Sequence, residues 1–162
     1  MRSCVRTIVA GLACVGLWAA PASTPPAQAE ISAFFSRASP AENWKTGLGA
    51  ALGSTWFRLL ILEAEVARQP ADLGTDDGMT SFTASALVSL PTGQLRPYGG
   101  LGVGLFRQSV ASNSDTGTLK AFVVGLKLRF ELISLKAEYR RLTLSGTPLL
   151  PLTHRVSVGL GF

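Results

Sequence analysis

Beyond position 14 the chain has no cysteine, and in all its 162 residues it has one histidine. Both cysteines, Cys4 and Cys14, lie in an N-terminal stretch that reads as a secretory leader. Arg2 and Arg6 supply its basic start, residues 7–20 an apolar run, and Ala27-Gln28-Ala29 a small-x-small cleavage site. Cleavage is expected after Ala29, dividing the chain into a signal peptide (1–29) and a single mature domain (30–162). The apolar run is too short for a retained spanning helix. Cys14 follows a loose lipoprotein-like box, but Gly11 stands where a bulky aliphatic residue is needed, so no lipidation is expected. A mature domain without cysteine has no disulfide, no thiol nucleophile and no cysteine-bound metal.

Two further scarcities narrow the classes. The formal charge is +5 and drops to about +3 once Arg2 and Arg6 are removed, and no run of basic residues occurs, so nucleic acid is not an expected partner. After the leader no segment approaches 18 uninterrupted apolar residues, so no helix is expected to cross a membrane. Yet 47% of the residues are hydrophobic and 17 are glycine. Those two abundances need one explanation.

Period-two alternation supplies it. Eight strands are predicted, at 31–38, 44–53, 57–69, 80–90, 95–108, 118–130, 133–143 and 154–162. Tight turns are expected at 54–56, 91–94 and 131–132, and longer polar loops at 39–43, 70–79, 109–117 and 145–153. An even strand number, with short turns at one rim and longer loops at the other, predicts an all-β, antiparallel up-and-down transmembrane β-barrel. One parity carries large apolar groups such as Leu60, Leu62, Val66, Leu101, Val103, Phe122, Val124 and Leu126. The other carries glycine rows (Gly47, Gly49, Gly53; Gly100, Gly102, Gly104; Gly159, Gly161), Ser81, Thr83, Ser85 and Ser89. It also carries Glu63, Glu65, Arg96, Lys127, Arg129, Lys136, Glu138, Arg140 and Arg155.

Volume decides which parity faces inward. An eight-stranded interior is just wide enough to be filled by side chains, and about two dozen large apolar groups would overfill it. Glycines across a lumen leave room for long charged side chains to meet. The oily face therefore points to lipid, against the alternative of a soluble barrel carrying an apolar ligand. In lipid a closed sheet leaves no unpaired backbone edge, so strand 8 must pair with strand 1. Phe162 then sits at the periplasmic interface, with Tyr139 and Trp44 towards the opposite rim.

Several segments resemble a known family. Leu95–Phe106, "LRPYGGLGVGLF", is similar to the RPY-x-G-x-GxG strand of the outer membrane protein β-barrel domain family, the group related to outer membrane protein A and the opacity-type barrels. "LEAEVARQ", "LKAEYRRL" and "HRVSVGLGF" resemble further strands of that family, and the likeness covers residues 30–162. The third strand departs in being poor in aromatics, and the loops are short for a large adhesive surface. The resemblance implies an outer-membrane barrel of Gram-negative type, with Phe162 as the signal read by the barrel-assembly machinery.

The charged parity invites chemical readings. Glu63, Glu65, Lys127, Arg129, Lys136, Glu138 and Arg140 are expected to form a salt-bridged network closing the lumen, because charges in a narrow bore must be paired or hydrated. Acid–base catalysis by the same carboxylates is the lesser alternative. A lipid A deacylase or acyltransferase would need a serine activated by a histidine. The single candidate base, His154, has outward parity at the start of strand 8, and no serine has a claim to be its partner. Asp72, Asp76 and Asp77 lack the alternating acidic positions and final Glu of a calcium loop. No catalytic, cofactor or metal site is therefore expected.

One pattern is less ordinary. On the lipid-facing parity, Arg37, Arg68, Arg107, Lys120 and Arg141 fall at the loop ends of their strands, joined by His154, with only Arg58 at the opposite rim. Cost alone drives charge from the midplane to a rim, by about 2–4 kcal/mol, but does not choose one rim. The expected partner of such a girdle is lipopolysaccharide phosphate. The sequence thus predicts a monomeric, non-catalytic outer-membrane barrel serving envelope integrity or surface interaction, with lipid A modification as the alternative.

Overall fold

The structure, a computed structural model, describes residues 28–39, 45–57, 59–70, 77–110, 113–146, 148–149 and 152–162. These form β1 (Gln28–Ser39), β2 (Lys45–Trp56), β3 (Leu60–Pro70), β4 (Gly78–Ser89), β5 (Leu95–Val110), β6 (Asn113–Arg129), β7 (Ser134–Leu144) and β8 (His154–Gly161). Each strand pairs antiparallel with its sequence neighbour, and β8 returns to β1 to close the cylinder. Backbone bonds between Ile31 and Phe162 carry the closing ladder past the end of β8.

The stagger of the barrel follows from the pairing. A hydrogen-bonded row starting at Gln28 passes through Thr55, Ile61, Leu87, Gly100, Val123, Arg140 and Arg155 and re-enters β1 at Ala38, ten residues higher. A ten-residue shear over eight strands tilts them by about 40°, within the usual range for closed barrels.

Side chains sort as the alternation predicts. Phe35, Leu101, Val103, Phe122, Val158 and Leu160 are exposed on the outside, while Glu63, Glu65, Glu138, Arg140 and Arg155 are buried inside. Inward glycines make the space. Phe34 on β1 stands between its paired glycines, Gly49 on β2 and Gly159 on β8, and a Cβ at Gly159 would stand 2.7 Å from the Phe34 Cβ. At Gly125 a Cβ would fall 2.5 Å from the ring carbon Cζ of Tyr98.

Three expectations need correction. Residues 54–56 are not a turn: β2 runs through Trp56, and the chain reverses at Phe57, whose φ of 51° is left-handed, with the Leu59 N–H donating to the Trp56 carbonyl. Residues 109–110 and 113–117, placed in a loop by the sequence, instead extend the β5–β6 hairpin, paired up to Val110 and Asn113. Their alternation is weak because both faces are polar above the apolar band. Nor is the bore purely glycine and ionic. Its loop-side end is filled by Ala38, Met79, Phe106, Leu119, Leu142 and Leu152. Leu152 precedes β8 and is 1% exposed, held by Leu142 N–H donating to Thr153 O and Thr153 N–H donating to Ser39 O.

Gly125→Val is expected to push Tyr98 off its wall and destabilise the barrel by about 1–3 kcal/mol, as overpacking does. The check is the temperature at which the compact form converts to the slow-migrating unfolded form in detergent gels, which should drop relative to the parent.

Candidate functional site

Two constellations stand out, one inside the cylinder and one around it. Inside, β3 supplies acids and β7 and β8 supply most of the bases. Lys136 Nζ meets Glu63 Oε2 at 2.5 Å, and Arg140 Nη2 lies 2.7 Å from Glu63 Oε1 and 3.0 Å from Glu65 Oε2. Arg155 Nη2 reaches Glu65 Oε1 at 2.5 Å, and Arg140 Nε donates to Glu138. The Tyr98 hydroxyl donates to Glu138 Oε2 at 2.9 Å, and the Arg155 guanidinium stands 5.4 Å over the Phe34 ring. A second tier nearer the turns joins Lys127 to Glu30, whose other oxygen accepts from Ser134 Oγ at 2.7 Å.

The arrangement offsets a conflict created by the sheet. Arg140 and Arg155 are direct cross-strand neighbours, as are Lys127 and Lys136, and like charges so placed repel. Glu65 is ion-paired with both Arg140 and Arg155, while Glu30 and Glu63 neutralise the lysines. Glu63, Glu65 and Glu138 have carboxylate oxygens within 4.8 Å of one another, a spacing a metal could use. Arg140 already contacts all three, so the cluster is a carboxylate cage around a guanidinium.

Five of the seven network residues named from the sequence (Glu63, Glu65, Lys136, Glu138 and Arg140) thus come together. Lys127 belongs to the lower tier, and Arg129 lines a vestibule of about 270 Å³ at the turn-side mouth with Arg96 and Lys127. Glu30, Tyr98 and Arg155 were missed as members. Their parity was readable; Arg155 was already on the charged face, but pairing across the bore is not a property of spacing. Among the described residues the bore is filled at two heights, by the ion network around Arg140 and by the apolar plug on the loop side.

Outside, Arg37, Arg68, Arg107, Lys120 and Arg141 are all exposed. Their relative heights follow from the pairing. Each step along a hydrogen-bonded row climbs by one-eighth of the ten-residue shear, and each residue rises about 2.5 Å along the axis. On this scale Arg37, Arg68, Lys120, Arg141 and His154 fall within about 3 Å of one level, with Arg107 about 7 Å above. Thr46, Thr80, Thr118 and Thr143, all exposed, continue the polar ring on β2, β4, β6 and β7. Below the ring the described outward side chains are apolar, Ser54 excepted, down to Leu90, Phe130, Leu132 and Phe162, which are exposed at the turn rim. That band is about 24 Å tall on the same scale, close to the hydrocarbon band of an outer-membrane barrel.

His154 is the ring's imidazole member. Its Nδ1 lies 2.7 Å from the Tyr139 hydroxyl, and the two rings stack at 5.9 Å between centroids. The bonded partner is a tyrosine, not the serine a hydrolase would need. Arg58, Trp44, Asp72 and Asp76 lie outside the described residues, as does the leader up to position 27, while Ala29 is in β1.

The fold and the two constellations define a small, closed, eight-stranded barrel of the outer-membrane type. The chain matches no protein-family model and no curated protein sequence. Solved structures do match it. Neisserial surface protein A aligns over 85% of this chain and 98% of its own, at 16% identity and a TM-score of 0.60. The N-terminal β-barrel domain of Pseudomonas aeruginosa OprF aligns over 85% and 100%, at 20% identity and 0.63. Ail, the attachment invasion locus protein of Yersinia pestis, aligns over 83% and 94%, at 15% identity and 0.51. At these identities the likeness is one of fold, and it is the fold to which the strand motifs pointed.

Glu63→Ala strips a partner from both Lys136 and Arg140. It is expected to cost about 3–5 kcal/mol of unfolding free energy, the usual consequence of leaving buried charge uncompensated. Urea titration in lipid vesicles checks this, and Glu63→Gln combined with Lys136→Met should recover a substantial part of the loss.

Proposed function

We propose that this chain is a non-catalytic barrel of the outer membrane, acting as a monomer, closed to diffusion, and strengthening the outer leaflet through its cationic ring. The observation that carries the reading is the coincidence of a doubly blocked bore with five charged or imidazole groups at a single height. A plugged cylinder has no transport path, so its useful surface is the outside. There, guanidinium and ammonium groups at the loop-side edge of the apolar band stand where lipopolysaccharide phosphates lie. Charge-assisted bonds to phosphate are strong when partly desolvated, and bridging several lipid anions from one rigid body would tighten leaflet packing.

The same reading assigns an assembly route. Export would follow leader removal after Ala29, and the terminal strand, with Phe162 exposed on the lipid side, is the segment the barrel-assembly machinery would recognise.

A strain lacking the protein, complemented with either the parent or the variant carrying Arg37, Arg68, Arg107, Lys120 and Arg141 all changed to Gln, tests the proposal. The variant is expected to fold and reach the outer membrane, to admit a hydrophobic fluorescent dye about as readily as the deletion strain, and to leave the lipid A mass spectrum unchanged. Parent-like dye exclusion by the variant would contradict the role of the ring. A lipid A acyl pattern that depends on the protein would restore the enzymatic alternative. In planar bilayers the purified parent should give no sustained conductance steps, and a stable open channel would refute the closed bore.

A further inference from the structure

The ring is not uniform around the cylinder. On β2 and β4 its members are threonines, Thr46 and Thr80, and on β5 Arg107 is raised above the common level. Arg68, on β3, has an interaction partner within the chain. On β6, β7, β8 and β1, by contrast, Lys120, Arg141, His154 and Arg37 follow one another without a gap. Arg141 is directly opposite His154. Lys120 pairs with Thr143, diagonal to Arg141, and His154 pairs with Ser39, diagonal to Arg37. Neighbours so placed are roughly 5–8 Å apart, giving an arc of about 19 Å.

A groove lies on this arc. It has a volume of about 360 Å³ and runs between the upper end of β7 and the segment leading into β8. Arg141, His154, Thr143 and Thr153 give it cationic and hydroxyl groups, while Leu144 and Pro148 give it apolar walls. The Tyr139 hydroxyl occupies His154 Nδ1, so a further partner of the ring would meet Nε2. When that hydroxyl donates, Nε2 carries the ring hydrogen and can itself donate. The stacked tyrosine also fixes the plane of the imidazole.

We propose that this sector is a discrete seat for a glycolipid head group bearing two phosphates, the diphosphorylated disaccharide of lipid A, rather than one part of an evenly sticky ring. Arg141 and His154 hold one phosphate at the mouth of the groove. The Arg141 fork gives two donors, and His154 Nε2 and the threonine hydroxyls add others. Lys120 and Arg37 close the arc at either end, where the second phosphate of a disaccharide would reach. The apolar band below them receives the acyl chains. Tyr139 is a positioning residue that acts through His154. The inference rests on the outer-leaflet role proposed above and sharpens it from a charge pattern to a site.

The test compares two sides of one barrel. The full mature chain is refolded in neutral detergent and titrated with diphosphoryl lipid A and with monophosphoryl lipid A, and binding is read by native mass spectrometry. The parent should bind the diphosphoryl form at least tenfold more tightly. Lys120→Gln, Arg141→Gln and His154→Gln together should lose at least tenfold of that affinity, whereas Arg68→Gln with Arg107→Gln should lose only about threefold, the share owed to the general attraction of the ring. Arg141→Lys, which keeps the charge and is the milder change if the triple variant folds poorly, should lose threefold or more. Tyr139→Phe should weaken binding about threefold in the parent background and not at all once His154 is Gln, a coupling a merely structural tyrosine would not show. Equal losses from the two sides would overturn the discrete seat while leaving the cationic ring standing. No loss from either side would overturn both. Equal affinity for the two lipid A forms would overturn the two-phosphate assignment.

Discussion

A sheet placed in hydrocarbon cannot keep an edge. Each unpaired backbone N–H or C=O there costs several kcal/mol, and lipid offers nothing to bond them. Everything else in this protein follows from closing the sheet on itself. Closure fixes the pairing of β8 with β1, the ten-residue stagger fixes the tilt, and the tilt fixes which residues share a height. The cationic ring is therefore a property of the whole cylinder. Its members are scattered over more than a hundred positions of sequence and meet only because the shear brings them level.

The narrowness of an eight-stranded bore imposes the second layer of consequences. Side chains pointing inward must touch, so their charges must be matched. Glycine at 49, 125 and 159 lets Phe34 and Tyr98 lie close over the neighbouring strands, and those rings in turn contact the Arg155 and Glu138 ends of the ion network. The loop-side plug of Phe106, Leu119, Leu142 and Leu152 fills that end with apolar side chains. An apolar cap strengthens the electrostatics beneath it, because ion pairs gain as the local dielectric falls.

Much of this was legible in the sequence, for a physical reason. Alternation has only two phases, so once volume assigned the oily phase to lipid, the burial of Glu63, Glu65, Glu138 and Arg140 and the exposure of Arg37, Arg68, Lys120 and Arg141 were settled together. What escaped was local or three-dimensional. The reversal at Phe57 uses a left-handed aromatic residue instead of a glycine, so no turn signal marked it. The β5–β6 extension is polar on both faces and resembled a loop. Phe106 and Leu119 share the parity of glycine and lysine, yet their role as a plug depends on height within the bore. The His154–Tyr139 contact joins neighbouring strands in a register that only the closed sheet reveals.

The central claim is that hydrocarbon meets the apolar outer face between the ring and the turn rim while the opposite parity faces a packed bore. Single-cysteine spin labels along β4 test it directly, since residues 30–162 contain no cysteine of their own. In lipid vesicles, labels at Ala84 and Ala86 should be accessible to oxygen and shielded from a water-soluble nickel complex. Labels at Thr83 and Ser85 should be immobilised and shielded from both. Accessibility to the nickel complex at Ala84 and Ala86, or the same oxygen accessibility at all four positions, would contradict the account.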